Sequence, residues 1–298
     1  MRKRFTTRVL IAVMAGVVTS TLLGSAGQAA QDEATKIDTA ISRATAGMEQ
    51  PADNPAVTGP TDPHQPVVLS GPIGDIKLRL PTTDTAGKGT HTSMGTTIYT
   101  DSRSDADIAV QTLADGVRAL VTIQNANAPH EYRFPLSLPA DYRLEMADDA
   151  SETINIVAGN ESVKVIAGQV SAPWAKDFSG KPVPTKYRVV DGAVIQTIFF
   201  DEKLIFPIVA DPHVRKTKYG SEVLFNKQET KIMMAGAASV AAIALFIPEP
   251  SISKVVAGAG ALVAAWAAWA DATDGCVGIK AVEGLGAVPW INHNSYCK

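Results

Sequence analysis

Two cysteines, five histidines and four tryptophans are the residues of this 298-residue sequence with the most chemistry to offer beyond packing. Cys276 and Cys297 stand 21 positions apart near the end of the chain. In an oxidising compartment such a pair forms a disulfide, and closing a loop of that length contributes about 3 kcal/mol in the chain-entropy account. A metal pair would need a third ligand and a reactive thiol a neighbouring base, and the sequence places neither beside them. His64, His91, His130, His213 and His293 are scattered, with no two at metal-ligand spacing on one element. No serine sits in a Gly-x-Ser-x-Gly elbow, and no glycine-rich loop leads into Lys-Ser/Thr. The acids Asp101, Asp105 and Asp107, and Asp148, Asp149 and Glu152, lack the ligand spacing and central glycine of a calcium loop and read as solvated loops. No residue is therefore assigned a catalytic, cofactor-binding or metal-binding role. Two aromatic features remain. Trp174 and Asp177 belong to a proline-flanked segment that is either a ligand loop or a plug for the end of a β core. Trp266 and Trp269 end an apolar helical run, where the interfacial belt of a membrane-seated helix would lie.

The elements that hold these residues follow from patterning. Residues 1–29 read as a signal peptide. Arg2, Lys3, Arg4 and Arg8 precede an uncharged apolar run at 9–23, and Gly27 and Ala29 have the spacing of a signal-peptidase site, so cleavage is expected after Ala29. At 15 residues the run is shorter than the ~20 of a spanning helix. The expected location is extracellular or associated with the cell envelope. Cleavage leaves 23 basic against 30 acidic residues, a formal charge of −7, and an acidic chain lacks the positive face of a nucleic-acid binder.

Residues 30–50 read as an amphipathic helix with Ile37, Ile41, Ala44 and Met48 on one face; whether it docks is open. Five prolines make 51–66 an extended linker with no packed element. From 67 to 212 the apolar period becomes two, as in Ile76, Leu78 and Leu80, or Val117, Ala119, Val121 and Ile123, which marks half-buried strands. Asp115-Gly116, Gly159-Asn160 and Asp191-Gly192 are the expected hairpin turns. Pro207 makes the strand at 204–210 an edge strand or a bulged one. A basic connector spans 213–226, with room for a last strand at 222–225. Residues 227–275 read as an apolar antiparallel helical hairpin. Asn226 and Glu229 form a capping box, Pro248 and Pro250 end the first helix, and Ser251 caps the second. Its two apolar runs, 232–247 and 255–270, carry no charge over 16 residues each. Residues 276–298 form a disulfide-closed tail. The fold class is α+β: an antiparallel β-sandwich or partly open barrel, then a C-terminal apolar helical hairpin.

Several segments carry a family likeness: Ala114-Asp115-Gly116-Val117-Arg118, Phe134-Pro135-Leu136, Pro173-Trp174-Ala175-Lys176-Asp177, Gly180-Lys181-Pro182-Val183-Pro184-Thr185 and Phe206-Pro207-Ile208-Val209-Ala210-Asp211-Pro212. With the apolar helical pair and the terminal Tyr296-Cys297, the chain resembles a family of secreted proteins of unknown function from high-GC Gram-positive bacteria. The resemblance implies compartment and architecture, and it carries over no functional residue.

Three function classes follow. In the first, a non-enzymatic interaction or structural protein of the envelope or exterior uses the β domain as a binding platform, and a chain truncated at Lys227 keeps a folded β domain. In the second, a membrane-active, toxin- or bacteriocin-like protein uses the hairpin, whose small residues at four-residue spacing (Ala257, Ala261 and Ala265; Gly260, Ala264 and Ala268; Ala238 and Ala242) suit close packing in lipid. The third is a secreted hydrolase with its site on β-domain loops. No cofactor is implied. The partner is unknown, with a membrane or envelope component and a second copy of the chain as the candidates.

Overall fold

The computed structural model describes residues 20–52, 59–71, 74–101, 103–217, 220–282 and 286–298. The basic cluster and most of the apolar run of the expected signal, together with Pro55 and Lys218, lie outside the described residues. Among the described residues the chain runs α1 (Ser20–Ala44), β1 (Val67–Gly71), β2 (Gly74–Leu78), β3 (Thr90–His91), β4 (Thr96–Tyr99), β5 (Ala106–Thr112) and β6 (Gly116–Ile123). There follow β7 (Glu131–Ser137), β8 (Arg143–Met146), β9 (Ile154–Gly159), β10 (Val163–Val170), β11 (Ala175–Lys176), β12 (Thr185–Val190) and β13 (Ala193–Ile198). Next come β14 (Ile208–Ala210), β15 (His213–Lys216), β16 (Ser221–Phe225), α2 (Lys227–Met233) and α3 (Ala237–Ala244). The chain ends with α4 (Pro250–Gly258), α5 (Gly260–Ala272), β17 (Cys276–Val282) and β18 (Gly286–Asn292).

The architecture is α+β with antiparallel sheets and C-terminal helices, and among the described residues no barrel closes. A five-stranded sheet runs β1-β2-β7-β13-β12. A thirteen-stranded sheet has the path β18-β17-β16-β10-β15-β6-β5-β4-β3, with β8, β9, β11 and β14 branching from it. The two sheets share one core, in which Leu69, Leu78, Phe134 and Val194 meet Val110, Val121, Ile156 and Val214. Burying each such side chain stabilises the fold by about 1.5–3 kcal/mol.

The large sheet is covered on its other face as well, and this corrects the half-buried reading of β6. Ala119 and Val121 face the shared core, while Leu120 packs with Ile98, Ala109 and Val209 beneath α1. Both parities are therefore buried. The helix expected at 30–50 is docked. It is already helical from Ser20 and ends at Ala44, and Ala34, Ile37, Ala40, Ile41 and Ala44 form its buried stripe. Lys176 Nζ donates to the Ala44 carbonyl at 2.7 Å, satisfying one of the orphan acceptors at the helix end. The Arg43 guanidinium lies 4.2 Å above the Phe178 ring. Because Ile41 is fully buried in the cluster with Ile98, Ala109, Leu120 and Val209, Ile41→Ala is expected to cost about 2–4 kcal/mol. A lower denaturation midpoint with an unchanged slope would register that loss.

Other boundaries move for identifiable reasons. The proline-rich segment is pinned at points along 59–66, where Gly59 and Pro63 are buried and backbone carbonyls accept hydrogen bonds from the β body. Pro60 O accepts from Tyr99 Oη at 2.7 Å and Thr61 O from Gly89 N at 2.8 Å. The expected connector at 213–226 holds two strands, β15 and β16, both paired with β10. Pro207 lies outside β14, so that strand is internal, pairing with both β6 and β11. Asp191 and Gly192 make the expected positive-φ turn, at 47° and 67°. Gly116 does not. Its glycine is required because a Cβ there would collide with the Val214 carbonyl on the adjacent β15.

Candidate functional site

The helices α2 to α5 form a cap over β10, β16 and β17. Val163, Val165, Val223, Phe225, Val277 and Ile279 on the strands meet Met233, Val240, Ile243, Val256 and Val263 on the helices and Ile247 in the turn between α3 and α4. Asn226 starts the cap as expected, accepting from Gln228 N at 2.8 Å and Glu229 N at 3.1 Å. The reciprocal half of the capping box is replaced: Asn226 N donates to the Ser162 carbonyl at 3.4 Å, and Glu229 is buried with Oε2 unpartnered. Glu249, and not Ser251, caps the second helical run: its carboxylate accepts from Ser251 N at 3.5 Å, and from Ser251 Oγ at 3.0 Å as well.

Each expected helix of the hairpin is broken once. Gly236 has φ of 123°, outside the helical region, and separates α2 from α3. The second run bends by 80° between α4 and α5, in the low-propensity stretch Gly258-Ala259-Gly260. No single helix among the described residues is long and apolar enough to cross a membrane, although α4 and α5 taken together have the length and composition. The small residues divide between two tasks. Gly260 and Ala264 face inward, and a Cβ on Gly260 would meet Ala237 at 3.1 Å, so the starts of α5 and α3 lie in close contact.

Ala261, Leu262, Ala265, Ala268, Trp269 and Ala272 are exposed, and their spacing puts them on one face of α5. On α3 and the turn after it, Ala238, Ala242, Leu245 and Phe246 do the same. Six of the eleven large apolar side chains exposed among the described residues belong to the cap: Ile232, Met234, Leu245, Phe246, Leu262 and Trp269. Leu245 is 80% exposed, Phe246 61% and Trp269 55%. Lys231 and Lys254 are exposed on α2 and α4. Concentrated apolar exposure of this kind marks a contact surface.

Trp266 and Trp269 separate in role. Their rings touch at 4.9 Å, but Trp266 packs into the cap core while Trp269 stands outside it. Cys276 and Cys297 are disulfide-bonded. The tail they close is itself structured, because β17 and β18 form a hairpin that extends the large sheet from β16. Asp177 is buried and occupied: its carboxylate accepts from Ser179 N at 2.9 Å, Ser179 Oγ at 2.6 Å and Lys181 N at 3.0 Å, shaping its own turn. Trp174 is half-buried and packs against the cluster under α1.

Asp101 and Asp107, expected in a solvated loop, are buried. Asp101 accepts from Thr83, Thr85 and Arg103, and Asp107 from Asp101 N and Gln124. Burial raises the Asp107 carboxyl above its usual range despite these bonds. The histidines are dispersed. His91 bonds Thr97, His130 stacks on Phe200 at 4.0 Å, His213 meets Asp115 at 3.0 Å and His293 meets the Thr273 carbonyl at 3.3 Å.

Comparison of the chain with known proteins returns no matching family model, no matching curated protein and no matching solved structure.

Proposed function

We propose that this is an exported, non-enzymatic interaction protein of the cell envelope or exterior that seats on a lipid surface through the outward faces of its helical cap. The observation that carries the reading is the exposed apolar stripe of α5 with Trp269 at its end, joined by Leu245 and Phe246 at the end of α3. A helix that buries one apolar face in its own protein and leaves the other apolar suits the headgroup boundary, where aliphatic side chains and tryptophan both partition favourably. Lys231 and Lys254, exposed on α2 and α4 of the cap, supply attraction to anionic lipid. The disulfide is consistent with an extracellular location, and the resemblance to secreted proteins points the same way.

The test is co-flotation of the purified mature chain with vesicles of zwitterionic lipid and of mixed anionic lipid. The wild-type protein is expected to float with both and more strongly with the anionic set. The double variant Leu245→Asp/Phe246→Asp, altered only at exposed positions, is expected to lose at least tenfold in partitioning. Failure of the wild type to float would remove the lipid reading. A concentration-dependent dimer in sedimentation, abolished by the same variant, would make a second copy the partner. Dye release from the vesicles, sensitive to reductant, would move the protein into the membrane-active class.

A further inference from the structure

The charges of the chain sum to −3, yet one face of the five-stranded sheet is positive. Leu78, Phe134, Val194 and Tyr187 turn one side of that sheet into the shared core, and in strands of period two the residues between them turn outward. Lys77 on β2, Arg79 just after it, Arg133 on β7, and Lys186 and Arg188 on β12 are such residues, and all five are exposed. The outward acids are Glu131 on β7 and Asp75 at the start of β2. A sum over the sequence conceals this face, because it does not record which residues lie side by side.

The register lines the cations up. Arg188 pairs with Ile195 and Ile195 with Arg133, so the two arginines face each other across one strand, and Lys186 lies next to Arg188 on the same side of β12. On the far side of β7, Lys77 pairs with Ser137, and Arg79 N donates to the Pro135 carbonyl at 2.9 Å, which continues the pairing. Lys186, Arg188, Arg133, Arg79 and Lys77 therefore form a diagonal row. With strands about 4.8 Å apart and same-face residues about 6.8 Å apart along a strand, the row runs roughly 20 Å and sets successive cations roughly 7–10 Å apart. Little within the protein neutralises it. Glu131 Oε2 lies 2.8 Å from Arg188 Nη2, and among the described residues it is the only acid in an ion pair with any of the five. Asp75, beyond Lys77, accepts from Ser70 Oγ at 2.7 Å. Arg133 Nη2 reaches only the Asp191 carbonyl, at 3.5 Å.

A row one cation wide selects its occupant. A small anion engages at most two neighbours and leaves the rest unpaired. A lipid surface spreads its charge over a plane and gains nothing from a row. Single-stranded nucleic-acid sites stack successive bases on aromatic rings, and the outward residues of these five strands include none; Phe199, just past β13, is covered by Lys186 Nζ at 5.4 Å. An extended polymer with carboxylate or sulfate groups along it meets the guanidiniums in succession, each shaped for bidentate contact.

We propose that the outer face of the five-stranded sheet binds an extended anionic polysaccharide along the row from Lys186 to Lys77, its carboxylate or sulfate groups accepting from the arginines and lysines. None of these residues belongs to the cap, so the inference stands independently of the lipid reading.

The experiment titrates the full mature chain with dextran sulfate and with polygalacturonate, and with neutral dextran and oligothymidylate as the other arms, by isothermal calorimetry. Saturable micromolar binding of at least one of the two polyanions is expected at low salt, with none to neutral dextran, and raising salt from about 50 to about 200 mM is expected to weaken it about tenfold or more. The double variant Arg79→Gln/Arg133→Gln, altered only at exposed positions, is expected to weaken binding about tenfold. Lys36→Gln/Lys88→Gln removes the same charge from exposed positions elsewhere and is expected to leave binding unchanged. Thermal melting checks that both variants are folded. The arginine variant is expected to float with zwitterionic vesicles as the wild type does, so failure of either reading leaves the other standing. The absence of binding to both polyanions would overturn the proposal. So would a loss no greater in the arginine variant than in the lysine variant, or tighter binding to oligothymidylate than to either polysaccharide.

Discussion

A chain that stops at Asn226 is expected to lose cooperative folding, with no sharp thermal transition and with aggregation on purification. The cap lies directly on β10 and β16, so removing it uncovers Val163, Val165, Val223 and Phe225, all now fully buried. At about 1.5–3 kcal/mol for each side chain the loss is roughly 6 kcal/mol or more, against a typical total stability of 5–15 kcal/mol. The truncation also unpairs β16, whose outer neighbour is β17, and a bare apolar edge strand is a template for aggregation. Circular dichroism melts and size-exclusion chromatography decide the matter. A soluble monomer with a cooperative melt would make the cap a separable domain, as the boundary read at Lys227 implied.

Asp211 produces the second large effect, and its sign is opposite to that of most surface carboxylates. Burial raises its carboxyl to about 7, against the opposing pull of the Trp174 N–H, the Arg118 charge and the Tyr187 hydroxyl. A folded-state value above the unfolded one means that the native protein holds a proton the unfolded chain has released. Its stabilising contribution is therefore complete below about pH 4 and is lost as pH rises to about 7. The loss is on the order of 3–4 kcal/mol. Asp211→Asn keeps an oxygen to accept from Trp174 and Tyr187 but cannot ionise. Wild type and variant are thus expected to differ progressively between pH 4 and pH 8, with the variant the more stable at pH 8. Urea denaturation across that range measures the difference, and parallel curves would show that Asp211 does not titrate there. Asp115 supplies the contrast. Burial works to raise its carboxyl, yet the His213 hydrogen bond and the His213 and Arg215 charges together hold it below the usual range.

Much of the fold is legible because local rules act on adjacent residues. The alternation through Ile76 and Leu78 placed β2 and its buried side, Asp191-Gly192 placed a hairpin, and Asn226 placed the start of the cap. The sites were harder to read. Arg118 lies in β6 between apolar neighbours, and a period of two assigns it to solvent; the residues after α1, Met48 and Glu49, and the segment around Trp174 gather over that side of the sheet and bury it. The outward stripe of α5 was hidden for another reason. In a run apolar on every side, helical spacing marks which residues share a face but not which face is turned inward.

The amino-acid order alone therefore determined the antiparallel strands, the cysteine pair and the two uncharged helical runs, because period, turn chemistry and composition are properties of neighbouring residues. Tertiary structure decided what covers what. That α1 docks, that the tail adds two strands, that the helical runs break and leave Leu245, Phe246 and Trp269 outside, and that Arg118, Asp211 and Arg215 converge are all consequences of contacts between segments distant in sequence. Such contacts depend on the shape of the packed surfaces, which no local pattern encodes.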